Sequence, residues 1–299
     1  MPAMMSEQHD PLRPILAVAL GIAMLSLMDA FIKSAALAHG AYMAAILRVG
    51  IAFFLTAPLW VALRPRWPAP GVLRVHLKRG VVGAVMALSF FVALTKLPLA
   101  ETIAISFVAP IISLYLAALL LGEKVRPRAV WGALFGLIGV LVIVGGNFGR
   151  GNLDSETGVG LAAIGISALL YAWNLVIQRE QALVAKPLEV TVFYMGIAGL
   201  CYLLAAPWLF EMPALSELSD VAIAAILTVA GALTMAWAYA RAEAQVLVPL
   251  EYSGFLWAML FGWLLLAETV TWTAIAGAGL IVAGCWIATT RKRTEQSAI

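Results

Sequence analysis

The sequence predicts an all-α membrane protein of ten transmembrane helices, built as two five-helix repeats of inverted topology. Three observations carry this expectation. First, the 299 residues are 63% hydrophobic and 12% charged, with mean hydropathy +0.98, whereas a soluble domain is about 45–50% apolar and about 25% charged. Second, the stretch from Leu97 to Leu141 returns 145 residues later, from Ala242 to Trp286. Third, Lys and Arg alternate between rich and poor loops along the chain.

The apolar excess is spread over the whole chain, so the protein is polytopic. The net charge of +3 does not point to nucleic acid, because the basic residues sit in short loops between spans. Cys201 and Cys285 lie in apolar stretches and read as small core residues. His9, His39 and His76 fall in the tail or in loops, and no metal-ligand cluster or cofactor is expected. The first 14 residues are polar and lack an A-x-A cleavage pattern. The apolar run after them is too long for a signal-peptide core and reads as a retained transmembrane helix.

A bilayer core of ~30 Å needs ~20 apolar residues. That ruler gives spans at 15–37, 41–63, 79–96, 98–121 and 128–147, then 158–180, 189–210, 220–241, 245–267 and 272–290. The breaks are prolines, charges and the linker-like run GNFGRGNLDSETG. The expected organisation is an N-terminal tail (1–14), a first repeat (15–147), a linker loop (148–157), a second repeat (158–290) and a C-terminal tail (291–299).

With the N-terminus in the cytoplasm, fifteen of the nineteen Lys and Arg residues fall on the inner side. Lys96 and Arg150 alone fall outside, and Lys33 and Arg48 lie within spans. Both termini are therefore expected inside, in a bacterial inner (plasma) membrane. Five spans per repeat force the second copy to enter from the opposite side. The loops agree: 64–79 carries five cations, while its counterpart at 209–224 carries Glu211, Glu217 and Asp220. Gly132, Gly136 and Gly139, echoed by Gly277 and Gly284, make small-residue faces that suit close helix packing. Such faces serve either a monomer or a homodimer.

Charge inside a membrane is expensive and marks candidate function. Asp29 and Lys33 are four apart on span one, Arg48 is on span two and Glu251 is on span nine. These groups read equally as a balanced structural ion network or as solute- and proton-handling groups. The 145-residue offset places Asp29 on Asn174, Lys33 on Gln178, Ser106 on Glu251 and Phe107 on Tyr252. Inverted copies place a substrate near the midplane between them, so Asp29 and Asn174 are expected to face one cavity. Trp173, Tyr239, Tyr252 and Trp257 read either as its aromatic lining or as packing residues. The repeated Glu123 and Glu268 read as caps at helix hairpins.

No G-x-x-x-x-G-K-[ST], H-E-x-x-H, G-x-S-x-G or carbonyl-filter pattern occurs. Nucleotide hydrolysis, the common membrane hydrolases and potassium-type channels are therefore not indicated.

The paired segment, with mid-helix Ala109-Pro110, LLLGE and a glycine-rich fifth helix, then YSGFLWAMLFGWLLLAE in the second copy, resembles the EamA-type drug/metabolite transporter superfamily. Arg48 in ILRVGIAFF is similar to that family's second-helix arginine. The resemblance covers about residues 15–290. It implies a ten-helix inverted-repeat carrier, often an exporter, for an amino acid, drug-like or other small metabolite. Alternating access is the expected mechanism, and Asp29 and Glu251, with no nucleotide site in the chain, raise the expectation of proton coupling or exchange. It also implies a cavity lined by helices one, three, four, six, eight and nine, which adds Ser89, Phe90 and Ser106 to Asp29, Trp173, Asn174, Tyr239, Glu251 and Tyr252. The Asp-Ala-x-x-Lys first helix resembles subgroups linked to uptake of S-adenosylmethionine or similar cofactors. A non-transporting scaffold and a lipid-modifying enzyme are the remaining alternatives. The expected partners are a small solute, protons and membrane lipids.

Overall fold

The protein was analysed as a computed structural model, which describes residues 12–63, 66–109, 112–113, 115–116, 127–149, 155–182, 184–211, 213, 218–239 and 253–289. The described helices are α1 (Leu12–His39), α2 (Ala41–Ala62), α3 (Pro70–Lys96), α4 (Leu99–Ser106), α5 (Pro127–Gly149), α6 (Ser155–Ala182), α7 (Pro187–Leu203), α8 (Ser219–Tyr239), α9 (Gly254–Leu266) and α10 (Trp272–Thr289). A single turn of helix at Ala206–Leu209 follows α7. Among the described residues there is no strand. On length and composition, α1, α2, α3 and the Ser155–Gln178 part of α6 suffice to cross a membrane, and five shorter apolar helices accompany them. The exterior of the bundle is apolar, with Leu16, Leu20, Phe54, Leu169, Leu200 and Trp263 among the exposed residues. A lipid-facing surface requires this, because helices satisfy their own backbone and present only side chains to the hydrocarbon.

Two elements differ from the expected spans. Helix α3 begins at Pro70, well before the expected start at 79. Ala69 is extended and Pro70 opens the helix, where a proline lacks only an N–H that has no intrahelical partner. Arg74, His76, Lys78 and Arg79 are therefore helical rather than loop residues, and His76 is fully buried. The expected span 98–121 is interrupted. Helix α4 ends at Ser106, and Phe107 and Val108 close three-residue turns onto Ala104 (3.2 Å) and Ile105 (3.1 Å). Pro110 follows, and a proline disfavours helix at the residue before it. In the second copy α9 opens at Gly254, the position equivalent to Ala109. The residues before it, including Arg241, Pro249, Glu251 and Tyr252, lie outside the described residues, as does Glu123.

The principal helix pairs each join one half of the chain to the other. Helix α1 packs on α8, α3 on α6, α2 on α7 and α5 on α10, with α4 against α9. The glycine faces explain the last-but-one pair. A Cβ at Gly277 would stand 2.5 Å from the Gly139 carbonyl oxygen, and one at Gly284 would stand 2.6 Å from that of Gly132. The small-residue stripes thus face each other within this chain. The core beneath them includes Ile32, Leu94, Leu99, Ile143, Ile164 and Ile281.

Candidate functional site

Helix α1 carries Asp29 and Lys33 one turn apart, on one face, yet they have different partners. Lys33 is buried and reaches the other half of the chain. Its Nζ forms an ion pair with Glu268 and donates a hydrogen bond to the Leu97 carbonyl. Glu268 in turn accepts from the Leu99 N–H at 2.7 Å. It follows Ala267, which ends α9 in the left-handed region at φ 52°. The repeated glutamate is therefore a cap, but of α4 in the first half and not of the helix that follows it. A carboxylate at a helix N-terminus is well placed for both the free N–H groups and the dipole. Beside it, Thr271 donates to Glu101 at 3.3 Å while accepting from the Ala274 N–H at 3.1 Å. Ser34 donates to Asp220 at 2.6 Å. These contacts gather at one end of the bundle, the Lys33 end.

Asp29 takes no part in them. Among the described residues it forms no hydrogen bond or ion pair, and Arg48 is the opposite charge that acts on it. It is only half-buried, although it lies in the middle of a helix at the heart of the bundle. Arg48 is buried. Its Nη1 donates to Thr228 at 3.3 Å, its guanidinium lies 5.1 Å from the Phe91 ring centre, and its Nε–H has no partner among the described residues. An unsatisfied buried donor costs about 1–3 kcal/mol.

At the opposite end, Asn174 is buried and bonds to Arg79. Its Oδ1 accepts from Arg79 Nε at 3.4 Å. Arg79 also donates from Nη1 to Gln181 (2.6 Å) and from Nη2 to Gln178 (3.2 Å). Gln181 passes the chain on to His76 Nδ1 at 2.5 Å, and His76 Nε2 meets Glu189 at 3.2 Å. The His76 ring stacks on Phe193, 4.7 Å between centres. Charge counting by loops missed this cluster because it treated His76 and Arg79 as solvated. The signal that could have found it is the 145-residue offset, which puts Gln178 at the position of Lys33.

The remaining candidates are dispersed. Ser89 lines an open apolar groove of about 360 Å³ with Leu88, Val92, Val159, Ala162 and Ile166, between α3 and α6. Phe90 packs against Phe91 at 6.2 Å. Ser106 donates back to the Thr102 carbonyl of its own helix at 3.0 Å. Trp173 is exposed on the outside of the bundle under Lys78, so it lines no interior cavity. Trp257 stacks on Phe261 at 5.8 Å. The Tyr239 side chain and Glu251 and Tyr252 are outside the described residues.

The family model of the EamA-like transporter family matches the chain twice, over residues 12–145 and 158–290. The chain is 29% identical to the pseudopaline exporter CntI of Pseudomonas aeruginosa, over 70% of its own length and 72% of that protein's. It is 29% identical to a riboflavin transporter of Brucella anthropi, over 78% of its own length and 82% of that protein's. It is 31% identical to the aromatic amino acid exporter YddG of Ancylobacter novellus, over 53% of its own length and 54% of that protein's. A crystal structure 23% identical in sequence shares the fold, with a TM-score of 0.61 and coverage of 91% of this chain and 97% of that one. With both of its halves matched, the chain is an integral membrane transporter, not an enzyme, and belongs to the EamA-like transporter family.

Proposed function

We propose that the protein is a secondary transporter that exports a small organic solute across the bacterial inner membrane by alternating access, with both termini in the cytoplasm. The observation that carries the pathway is Asp29. A mid-membrane carboxylate with no partner among the described residues is costly unless it serves a mobile group. On this reading the path runs along α1 past Asp29 and Arg48, and Glu251 is the candidate that the sequence offers in the second half. The orientation is supported by charge: Arg66, Arg74, Lys78 and Arg79 cluster at one end, while Asp220 and the paired Lys96–Glu156 mark the other. The Arg79 end is then cytoplasmic and the Lys33 end external. The relatives named as exporters of pseudopaline and aromatic amino acids support a polar metabolite as cargo.

The test is transport in proteoliposomes with an imposed pH gradient. Asp29→Asn is expected to lower the rate at least tenfold and to remove its dependence on the gradient. Asp29→Asn and Glu251→Gln variants that both keep wild-type gradient dependence would exclude a proton role for these groups. A second reading is uptake of a cofactor-like molecule, supported by the similarity to riboflavin transporters. Accumulation of riboflavin in energised right-side-out vesicles, with no efflux from preloaded ones, would favour it over export.

A further inference from the structure

Lys33 and Arg79 each tie the two halves of this protein together, and among the described residues only Lys33 has a carboxylate partner. Lys33 is neutralised by Glu268, with Glu101 also acting on it. On the 145-residue offset Lys33 falls on Gln178, which is neutral, and the cation at that end is instead Arg79 on the neighbouring helix. Among the described residues its hydrogen bonds go to neutral acceptors: Asn174, Gln178 and Gln181. The Tyr194 ring lies 5.2 Å from its guanidinium carbon. Two carboxylates of the same end are engaged elsewhere, Glu180 with Lys78 at 4.0 Å and Glu189 with His76 at 3.2 Å. A guanidinium withdrawn from water without a counter-ion is unfavourable.

The shell also fixes the guanidinium in place. Gln181 donates from Nε2 to His76, so its Oε1 is held toward Arg79. Three of the five guanidinium N–H groups are used, and one N–H on each Nη nitrogen is free among the described residues. A carboxylate or phosphate accepts charge-assisted hydrogen bonds from such N–H groups. Gln178, beside Nη2, is exposed, so the free side opens outward.

We propose that Arg79, oriented by Asn174, Gln178 and Gln181, is an anion-binding site that takes a carboxylate or phosphate group. Two sources carry that chemistry. One is the anionic group of the exported solute, captured at the cytoplasmic mouth before it reaches Asp29. The other is the headgroup of an acidic lipid. The solute source rests on the transport reading above, while the site itself does not.

The experiment uses purified full-length protein in phosphatidylcholine nanodiscs, titrated with sodium benzoate against sodium chloride at constant ionic strength. The readout is the unfolding temperature, because a ligand that binds the folded state raises it. Benzoate is expected to stabilise the wild type. Arg79→Gln should weaken its apparent affinity roughly tenfold to hundredfold, the loss of a charge-assisted contact. Arg74→Gln, which removes an exposed arginine of the same helix, should leave affinity unchanged. Gln178→Glu places a carboxylate beside Nη2, and should abolish the benzoate response while raising the anion-free unfolding temperature. That variant decides the matter if Arg79→Gln does not fold.

A second arm replaces part of the phosphatidylcholine with phosphatidylglycerol and counts retained lipids by native mass spectrometry. Arg79-dependent lipid retention without a benzoate response assigns the site to a lipid headgroup. Identical behaviour of wild type and Arg79→Gln in both arms overturns the proposal, as does an undiminished benzoate response in Gln178→Glu. Solute transport by a wild type whose Arg79 binds neither anion would defeat this proposal alone. Benzoate binding at Arg79 with no transport would defeat the transport reading alone.

Discussion

Lys33 and Asp29 show how one helical face can serve two ends. Four-residue spacing makes them neighbours, but the energetics of each is set by what the opposite half presents. Lys33 meets a carboxylate, a carbonyl and the cap of α4. Removing one member of a buried pair leaves the other charge stranded and costs about 3 kcal/mol. Lys33→Met is therefore expected to destabilise the protein by about that amount in a denaturation series. Adding Glu268→Gln should recover most of the loss, because the amide oxygen still accepts from Leu99 N–H while the stranded charge is gone. A double variant no more stable than Lys33→Met would show that the pair is not the source of the effect. The sequence lists these charges but cannot pair them. The spacing of Asp29 and Lys33 is visible along one helix, whereas the meeting of Lys33 and Glu268 depends on how two distant helices are stacked.

At the scale of elements, the repeat was the most legible feature and the helix ends the least. The glycine pattern named the faces of α5 and α10, and the structure closes them on each other, backbone to backbone. A Cβ at Gly277 has a carbonyl oxygen 2.5 Å away, and backbone cannot give way as the end of a flexible side chain can. Gly277→Ala should therefore cost about 1–3 kcal/mol by overpacking. Gly279→Ala, where no atom lies within 4 Å of the added Cβ, should be neutral or slightly stabilising. Equal unfolding temperatures for the two variants would refute close packing at this seam. Two features of α3 and α4 were hidden from an apolar count. Arg74, Lys78 and Arg79 made the first turns of α3 look like loop, although a helix that leaves the membrane can carry charge on its protruding turns. The run 98–121 is apolar throughout, so hydropathy does not register that Phe107 and Val108 leave the helix before Pro110.

For the whole molecule, the consequence of inverted halves is that each end is closed by residues from both. Lys33–Glu268 and Ser34–Asp220 tie the halves at one end, while Arg79 and His76 on α3 reach α6 and α7 at the other. Alternating access requires one set of ties to release while the other holds, since a path open at both ends would leak. The ties at the Lys33 end include a buried ion pair. Those at the Arg79 end are hydrogen bonds from a guanidinium to neutral acceptors, with the His76–Glu189 contact and the exposed Lys78–Glu180 pair beside them. Export on this reading requires the Lys33 end to open after the solute has bound. Ser34→Cys and Asp220→Cys put thiols on two side chains whose native oxygens stand 2.6 Å apart. A disulfide or short thiol cross-link between them should hold that end shut. Net transport should then fall at least tenfold and return on reduction, while solute binding from the Arg79 side persists. Transport at the wild-type rate with the cross-link demonstrably formed would mean that the Lys33 end does not open during the cycle.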